Sequence, residues 1–487
     1  MNRPLRSLAA VLFTAFAILA AGATYSQVLA GPGYRDDDRN TRAVLDEARR
    51  ERGAILSADG VLLAESTSDP SDPRAFRRQY PEGAAYAHVV GVAATLLADR
   101  GLEAELAETL ESGRNATISG LLSALAGDDL RARSVRLTID NRLQQVAVAA
   151  LEGQKGAVVA VNPTTGAVLA MVSAPAFDPN GLIGLSTELG DALESDPDRP
   201  LLNRAIQETY PPGSTFKIVT ASAAIESGGV GADSQFPNPA QLTLPGSTAT
   251  ISNFNGQTCG PGDEVSLATA LIRSCNTIFG VIGMETGAGD LIATAEAFGF
   301  NDDIPFELQG AASAVPAALI LSEDLAAVAQ TALGQRDVRA TPLQMALVAS
   351  AVANGGVVMT PYLVDEIIDA DGDVVDETPP TEWRRATSPA TARIVGDLMR
   401  QAVENGTGGN AAIPGATVSG KTGTAEVPEA APHAWFIGFG PTDIAQPIAV
   451  AVVVESGGAL GEEATGGSVA APIARQVIEA WLALMPS

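Results

Sequence analysis

The chain is short of positive charge and shorter still of lysine. Its 487 residues carry 30 Lys plus Arg against 57 Asp plus Glu, a formal net charge of −27. Nothing there builds a basic face for phosphates, which argues against a nucleic-acid partner. Histidine occurs twice, as His88 and His433, and cysteine twice, as Cys259 and Cys275. That supply is too thin for a metal centre, so no metal and no cofactor is expected. It also leaves a Ser-His-Asp triad poorly provided. Lysine occurs only at Lys155, Lys217 and Lys421; every other cation is arginine. Arginine stays charged at any working pH, whereas a desolvated lysine can give up its proton and act as a base. Any one of the three, taken alone, reads as an ordinary surface lysine. Their neighbours decide otherwise for two of them.

The length favours two or more domains, and the 46% hydrophobic content suffices for packed cores. Arg3 and Arg6 precede an uncharged stretch from Ser7 to Tyr34, whose apolar heart runs from Leu8 to Ala23. With "RDDD" on the far side, this predicts residues 1–34 as a cytoplasmic tip and single-pass anchor, with an exported body. The rival reading is a cleaved signal peptide, since Ala21-Gly22-Ala23 resembles a processing site. Cys259 and Cys275 suit an exported protein. Bridged, their loop would stabilise by roughly 3 kcal/mol in the chain-entropy view; unbridged, they are two buried thiols.

Residues 35–134 read as a non-catalytic pedestal. They hold "RGAILSADGVLLAES", a hairpin signal with Asp59-Gly60 as its turn, then an Ala/Leu/Glu-rich helical region. Asn115-Ala116-Thr117 is a glycosylation triplet read as chance. From 135 to 487 the text changes. Asp140 or Asn141 caps a helix, and two apolar runs flank Asn162 to Gly166 as a hairpin. A mostly helical stretch from Asn203 to Gln401 follows, including a helix opened by Thr341-Pro342 and stopped at Gly355. Three strand signals and a closing helix complete a pattern of two strands, a helical insertion, three strands and a helix. The expected fold is α+β: a mixed five-stranded sheet with helices on both faces.

Within this frame three short motifs carry chemistry. In "YPPGSTFKIVT" the prolines and Gly213 end any preceding helix, and Ser214 sits at or near the N-terminus of the next one, where free N–H groups favour an alkoxide. Lys217 follows one turn later on the same face, within reach of the serine oxygen. In "RSCNTIF", Ser274 can relay a proton and Asn276 can hold a substrate amide and Lys217. In "SGKTGTAE", Lys421 is expected to begin an exposed strand and hold a carboxylate, with Thr422 and Thr424 donating to the same group. Gly423 lets a substrate backbone lie against that strand. The N–H groups of Thr424 and Ser214 would form an oxyanion hole. Singly, the second and third motifs are common triplets. In this order, and with two of three lysines falling in them, they match the Ser-x-x-Lys, Ser-x-Asn, Lys-Thr-Gly set of penicillin-binding proteins and β-lactamases.

The chain resembles the class B, monofunctional penicillin-binding proteins, especially the division-associated actinobacterial type. Further segments carrying the likeness are "NPTTGAVLAMVSAPAFDPN", "NRAIQETYPPGSTFK", "ATPLQMALVASAVANGG" and "HAWFIGFGP". The resemblance implies a membrane-anchored peptidoglycan D,D-transpeptidase. Ser214 would attack the carbonyl between the terminal D-Ala residues of a stem peptide, and β-lactams would acylate the same serine. Lys217 would be the base, Ser274 and Asn276 relay and positioning groups, and Lys421, Thr422 and Thr424 carboxylate binders. No glycosyltransferase domain is recognised ahead of Val135, so a glycan polymerase and other division proteins are the expected partners. Two departures stand out. Arg336 follows Gln335 where Gly is frequent, and Cys275 fills the middle of the second motif. A D,D-carboxypeptidase, a β-lactamase and a non-catalytic muropeptide-binding scaffold are the alternatives.

Overall fold

The computed structural model describes residues 3–26, 50–70, 75–94, 98–111, 131–183, 187–427, 430–442 and 446–485. These group into two compact units, 1–51 with 66–78, and 52–65 with 79–487. In the first unit, helix Arg3–Thr24 is exposed and is long and apolar enough to cross a membrane. The possible processing site at 21–23 lies within it. Residues 66–78 contribute two arms joined by Arg78 Nη1 donating to Ser66 Oγ at 3.3 Å.

In the second unit, the hairpin expected around Asp59-Gly60 pairs Ile55 with Ala64 and Leu56 with Leu62. Gly60 has φ +83°, the left-handed geometry that the turn needs and glycine supplies without strain. Ile55–Leu56 also runs parallel to Ser134–Leu137, which in turn pairs antiparallel with Val364–Ile368. The division expected at 134/135 thus falls inside a strand, and residues 364–377 lend a hairpin to the same sheet. Beside it, Arg52 is buried against Asp99, Glu103 and Glu111 at 3.2, 3.1 and 3.1 Å. The Asn115 triplet lies outside the described residues.

A separate sheet has five strands in the order Ser419–Val427, Ala430–Gly440, Ile448–Val454, Gly156–Val161, Val168–Ala174. All four pairings are antiparallel, which corrects the expectation of a mixed sheet. Short links join 156–161 to 168–174 and connect the last three strands in series, and such links permit only antiparallel neighbours. The strands are almost wholly apolar because both faces are covered. Ala157, Val159 and Val161 share a core with Lys217–Glu226, Asn276–Ala297 and Pro342–Ala353. Val158 and Ala160 share the other with Asn141–Ala150 and Ala471–Leu484. Asp140 caps the first of these helices, and Thr341 Oγ1 accepts from Gln344 N at 3.1 Å to start Pro342–Ala353. The stretch from 203 to 401 is less helical than its pattern predicts. It also forms short strand pairs, among them Gln241–Thr243 with Thr250–Ser252.

Candidate active site

Ser214 does not sit directly on an α-helix. It lies in a 3-10 turn, Gly213–Phe216, that feeds the helix Lys217–Glu226. The reason is local: Pro211 and Pro212 cannot continue a preceding helix, Pro212 stands at φ −76° and ψ −14°, and Gly213 takes φ +52°. A side chain on Gly213 would meet Thr424 O at 2.9 Å, and one on Gly423 would meet Pro212 O at 3.0 Å. Both glycines therefore allow the serine turn and the Ser419–Val427 strand to approach backbone to backbone.

That strand is an edge of the sheet. It begins at Ser419 rather than at Lys421, and Lys421 is fully buried rather than displayed on an exposed strand. Its Nζ donates to Ser274 Oγ at 2.7 Å and to Thr422 O at 2.9 Å. Lys217, also fully buried, donates to Ser274 O at 2.8 Å and Asn276 Oδ1 at 2.7 Å, with Ser274 Oγ at 3.5 Å. Ser274 thus stands between the two amines. Its backbone has φ +60°, a costly conformation for a residue with a side chain. Cys275 caps the helix that Asn276 begins and is bridged to Cys259, with Cα atoms 5.7 Å apart. Asn276 Nδ2 donates to Ser252 O at 3.0 Å, and Thr277 N to Asn253 Oδ1 at 3.0 Å. The disulfide at Cys259 and the bonds to Ser252 and Asn253 in this way fasten the chain just upstream to the second motif.

Among the described residues neither amine has a carboxylate within salt-bridge distance. Burial, and then the charge of Lys421, hold the Lys217 amine well below the usual lysine range. Burial pushes Lys421 down to about 7. The cleft therefore holds a lysine biased to the free amine next to one balanced between charged and neutral.

Thr422 and Thr424 lie two residues apart and so share a face of the strand. Thr422 Oγ1 is 2.7 Å from Thr407 Oγ1, and Thr424 Oγ1 accepts weakly from Gly466 N at 3.5 Å. Thr407 and Gly466 were not singled out by sequence. Thr407 lies in the loop "NGTGGN" and Gly466 opens the helical turn Gly466–Ala470 in "ATGGSV", stretches with no reactive pattern of their own. Arg336 adopts φ +60°, the backbone that a glycine after Gln335 would take freely.

Residues 156–479 match the penicillin binding protein transpeptidase domain family, and residues 52–135 the penicillin binding protein A dimerisation domain family. The peptidoglycan D,D-transpeptidase PbpA of Mycolicibacterium smegmatis is 42% identical over 497 residues, covering 99% of both chains. Its namesake in Mycobacterium tuberculosis is 41% identical over 498 residues, again 99% of both. A ceftriaxone acyl-enzyme complex of penicillin-binding protein A from M. tuberculosis aligns with TM-score 0.83 at 40% identity, covering 91% of this chain and 100% of that one. The D,D-transpeptidase domain of a peptidoglycan glycosyltransferase from Eggerthella lenta aligns with TM-score 0.79 at 36% identity, covering 90% and 99%.

Proposed function

The chain belongs to the penicillin-binding protein transpeptidase family, and from that premise we propose how its own residues carry out acyl transfer. The protein is a serine-type peptidoglycan D,D-transpeptidase that β-lactams acylate. Ser214 Oγ bonds to the penultimate D-Ala carbonyl carbon of a donor stem peptide while its proton passes to Lys217. The bond to the terminal D-Ala nitrogen then breaks, and a proton reaches that nitrogen through Ser274. An amine of a neighbouring stem takes the acyl group, releases Ser214 and leaves a cross-link. In a β-lactam the strained amide replaces the scissile bond, and the acyl-enzyme persists.

The observation that carries this reading is a fully buried Lys217 with two short contacts to neutral acceptors and, among the described residues, no acid within salt-bridge distance to hold its charge. A neutral amine has two N–H groups and one lone pair. Ser274 O and Asn276 Oδ1 use the two hydrogens, which leaves the lone pair for the Ser214 proton. Asn276 keeps one amide hydrogen beyond its bond to Ser252 O, available to a substrate carbonyl. Lys421, with Thr422, Thr424 and the close approach at Gly423, receives the substrate carboxylate. The N–H groups of Ser214 and Thr424 form the oxyanion hole; the close approach of the two backbones, which a Cβ at Gly213 would obstruct, supports this. The helix Arg3–Thr24, led by Arg3 and Arg6, supports a single-pass anchor with the catalytic body outside the cytoplasm. Cross-linking needs nascent glycan, so a glycan polymerase and further division proteins are the partners.

Treating the full-length protein with a fluorescent penicillin and locating the adduct by mass spectrometry tests the assignment. The adduct is expected on Ser214, and Ser214→Ala is expected to remain folded and unlabelled. An adduct elsewhere, or persistent labelling of the variant, would remove Ser214 from this role.

A further inference from the structure

The third lysine leads to a partly exposed charge cluster that closes on the buried Arg204. Lys155 Nζ lies 3.5 Å from Asp198 and 3.6 Å from Glu455. Glu455 directly follows the central strand Ile448–Val454, and its N–H donates to Lys155 O at 2.7 Å. Its Oε1 accepts from Arg204 Nε at 2.8 Å and from the Tyr210 hydroxyl at 2.7 Å. Arg204 is only 1% exposed, and its remaining guanidinium donors meet Arg199 O at 3.1 Å and Asp198 O at 2.7 Å. An arginine buried and satisfied in this way cannot reorient without leaving a bare charge, so it fixes the carboxylate it holds.

Tyr210 is the residue through which this cluster reaches the nucleophile. It is 3% exposed, its backbone exchanges hydrogen bonds with Ala340 at 2.9 and 2.8 Å, and its ring stands edge-on to His433 and Trp435. Between Tyr210 and Ser214 lie Pro211, Pro212 and Gly213. The prolines have locked φ angles, so they transmit a displacement rather than absorb it. Trp435 Nε1 holds Pro211 O at 3.1 Å, and Gly213 N donates to Gly334 O at 2.9 Å. The hydroxyl bond to Glu455 is the charged tether of a segment otherwise held by backbone bonds and the Trp435 indole.

We propose that Glu455 and Arg204 are positioning residues for acyl transfer, acting through the Tyr210 hydroxyl to set where the Ser214 oxygen stands relative to its base. The proposal rests on Ser214 being the acylated residue. A reacting atom displaced by about 1 Å loses on the order of 10²-fold in rate, so a partial shift is expected to cost about tenfold. Burial and the Glu455 carboxylate keep the Tyr210 hydroxyl protonated, so it remains a donor throughout the working range.

Stopped-flow acylation of the full-length protein by a fluorescent penicillin separates the initial dissociation constant from the acylation rate constant. Tyr210→Phe removes one hydroxyl and nothing else. It is expected to lower the acylation rate constant about tenfold, with the dissociation constant and the thermal midpoint near wild type. Glu455→Gln is expected to lower the same constant. The double variant should lose no more than the worse single one, because both act through one link. An unchanged acylation rate constant in Tyr210→Phe overturns the proposal, as does a change confined to the dissociation constant or the midpoint, which is the signature of an ordinary core tyrosine. Losses that simply multiply in the double variant overturn the shared link. Ser214→Ala run alongside keeps the two ideas apart: persistent labelling there discards the nucleophile, whereas loss of labelling with an unaffected Tyr210→Phe discards only the tether.

Discussion

Arg52 and the lysine pair of the cleft are two buried cationic sites built on opposite rules. Arg52 faces Asp99, Glu103 and Glu111 at 3.1 to 3.2 Å. Burial works against its charge, but Glu103, then Asp99 and Glu111, outweigh it and hold the guanidinium protonated. Lys217 and Lys421 are buried more completely and meet only neutral oxygens among the described residues. One site neutralises its charge with acids and makes architecture. The other withholds acids, among the described residues, and in the proposed mechanism this leaves a proton acceptor. The residue types follow: arginine, which cannot deprotonate, where charge must stay, and lysine where it must be able to leave.

The sharpest way to break this contrast is to put the architectural cation in the catalytic place. Lys217→Arg restores a permanent charge and removes the base. Acylation by a fluorescent penicillin is expected to fall on the order of 10²- to 10⁴-fold, the usual contribution of a general base. A rate within tenfold of wild type would show that the amine takes no proton from Ser214. The converse experiment is Arg52→Met, which removes the guanidinium that Asp99, Glu103 and Glu111 share. A loss of about 3–5 kcal/mol in the first transition of urea unfolding is expected, with the acylation rate per folded molecule unchanged. A loss under about 1 kcal/mol would mean that the acids are hydrated and that the two sites differ less than their geometry implies.

What could be read from the sequence divides along the same line. Ser214, Lys217, Ser274, Asn276 and Lys421 stood out because each motif is short, and because lysine is so rare here that its placement carries information. The structure does bring Lys217, Ser274, Asn276 and Lys421 together. The acids around Arg52 were invisible because Glu and Asp are everywhere in this chain. The tether from Glu455 to Tyr210 joins residues 245 positions apart, and the Thr407 hydroxyl meets Thr422 only once the strand has formed. The hairpin of residues 364–377 reads as part of a helical region because its strands are short, half-exposed and completed by Ser134–Leu137 from far upstream. Long-range pairing of this kind leaves no local periodicity to detect.

The subtlest difference between the two sites concerns pH. Arg52 keeps its charge throughout the accessible range, whereas burial places Lys421 at about 7. Below that value Lys421 is charged and can hold the carboxylate of a penicillin; above it the amine is neutral and the attraction is lost. Burial, and then the charge of Lys421, also hold Lys217 well below the usual lysine range, and the falling limb is assigned to Lys421. The second-order acylation constant, which reports the free enzyme, is therefore expected to fall as pH rises through about 7, approaching tenfold per unit once one proton is lost. The rate constant of the already bound complex should vary less, because a bound carboxylate favours the charged amine and raises its pKa. Lys421→Arg is expected to start from a lower plateau, since the planar fork misfits a site shaped for an ammonium, and to lack the falling limb altogether. Measuring the constant from pH 6 to 9 in both proteins decides the matter. A flat wild-type profile means that Lys421 is held charged by its hydrogen bonds to Ser274 and Thr422 despite burial, and a limb surviving in Lys421→Arg assigns the titration to another group.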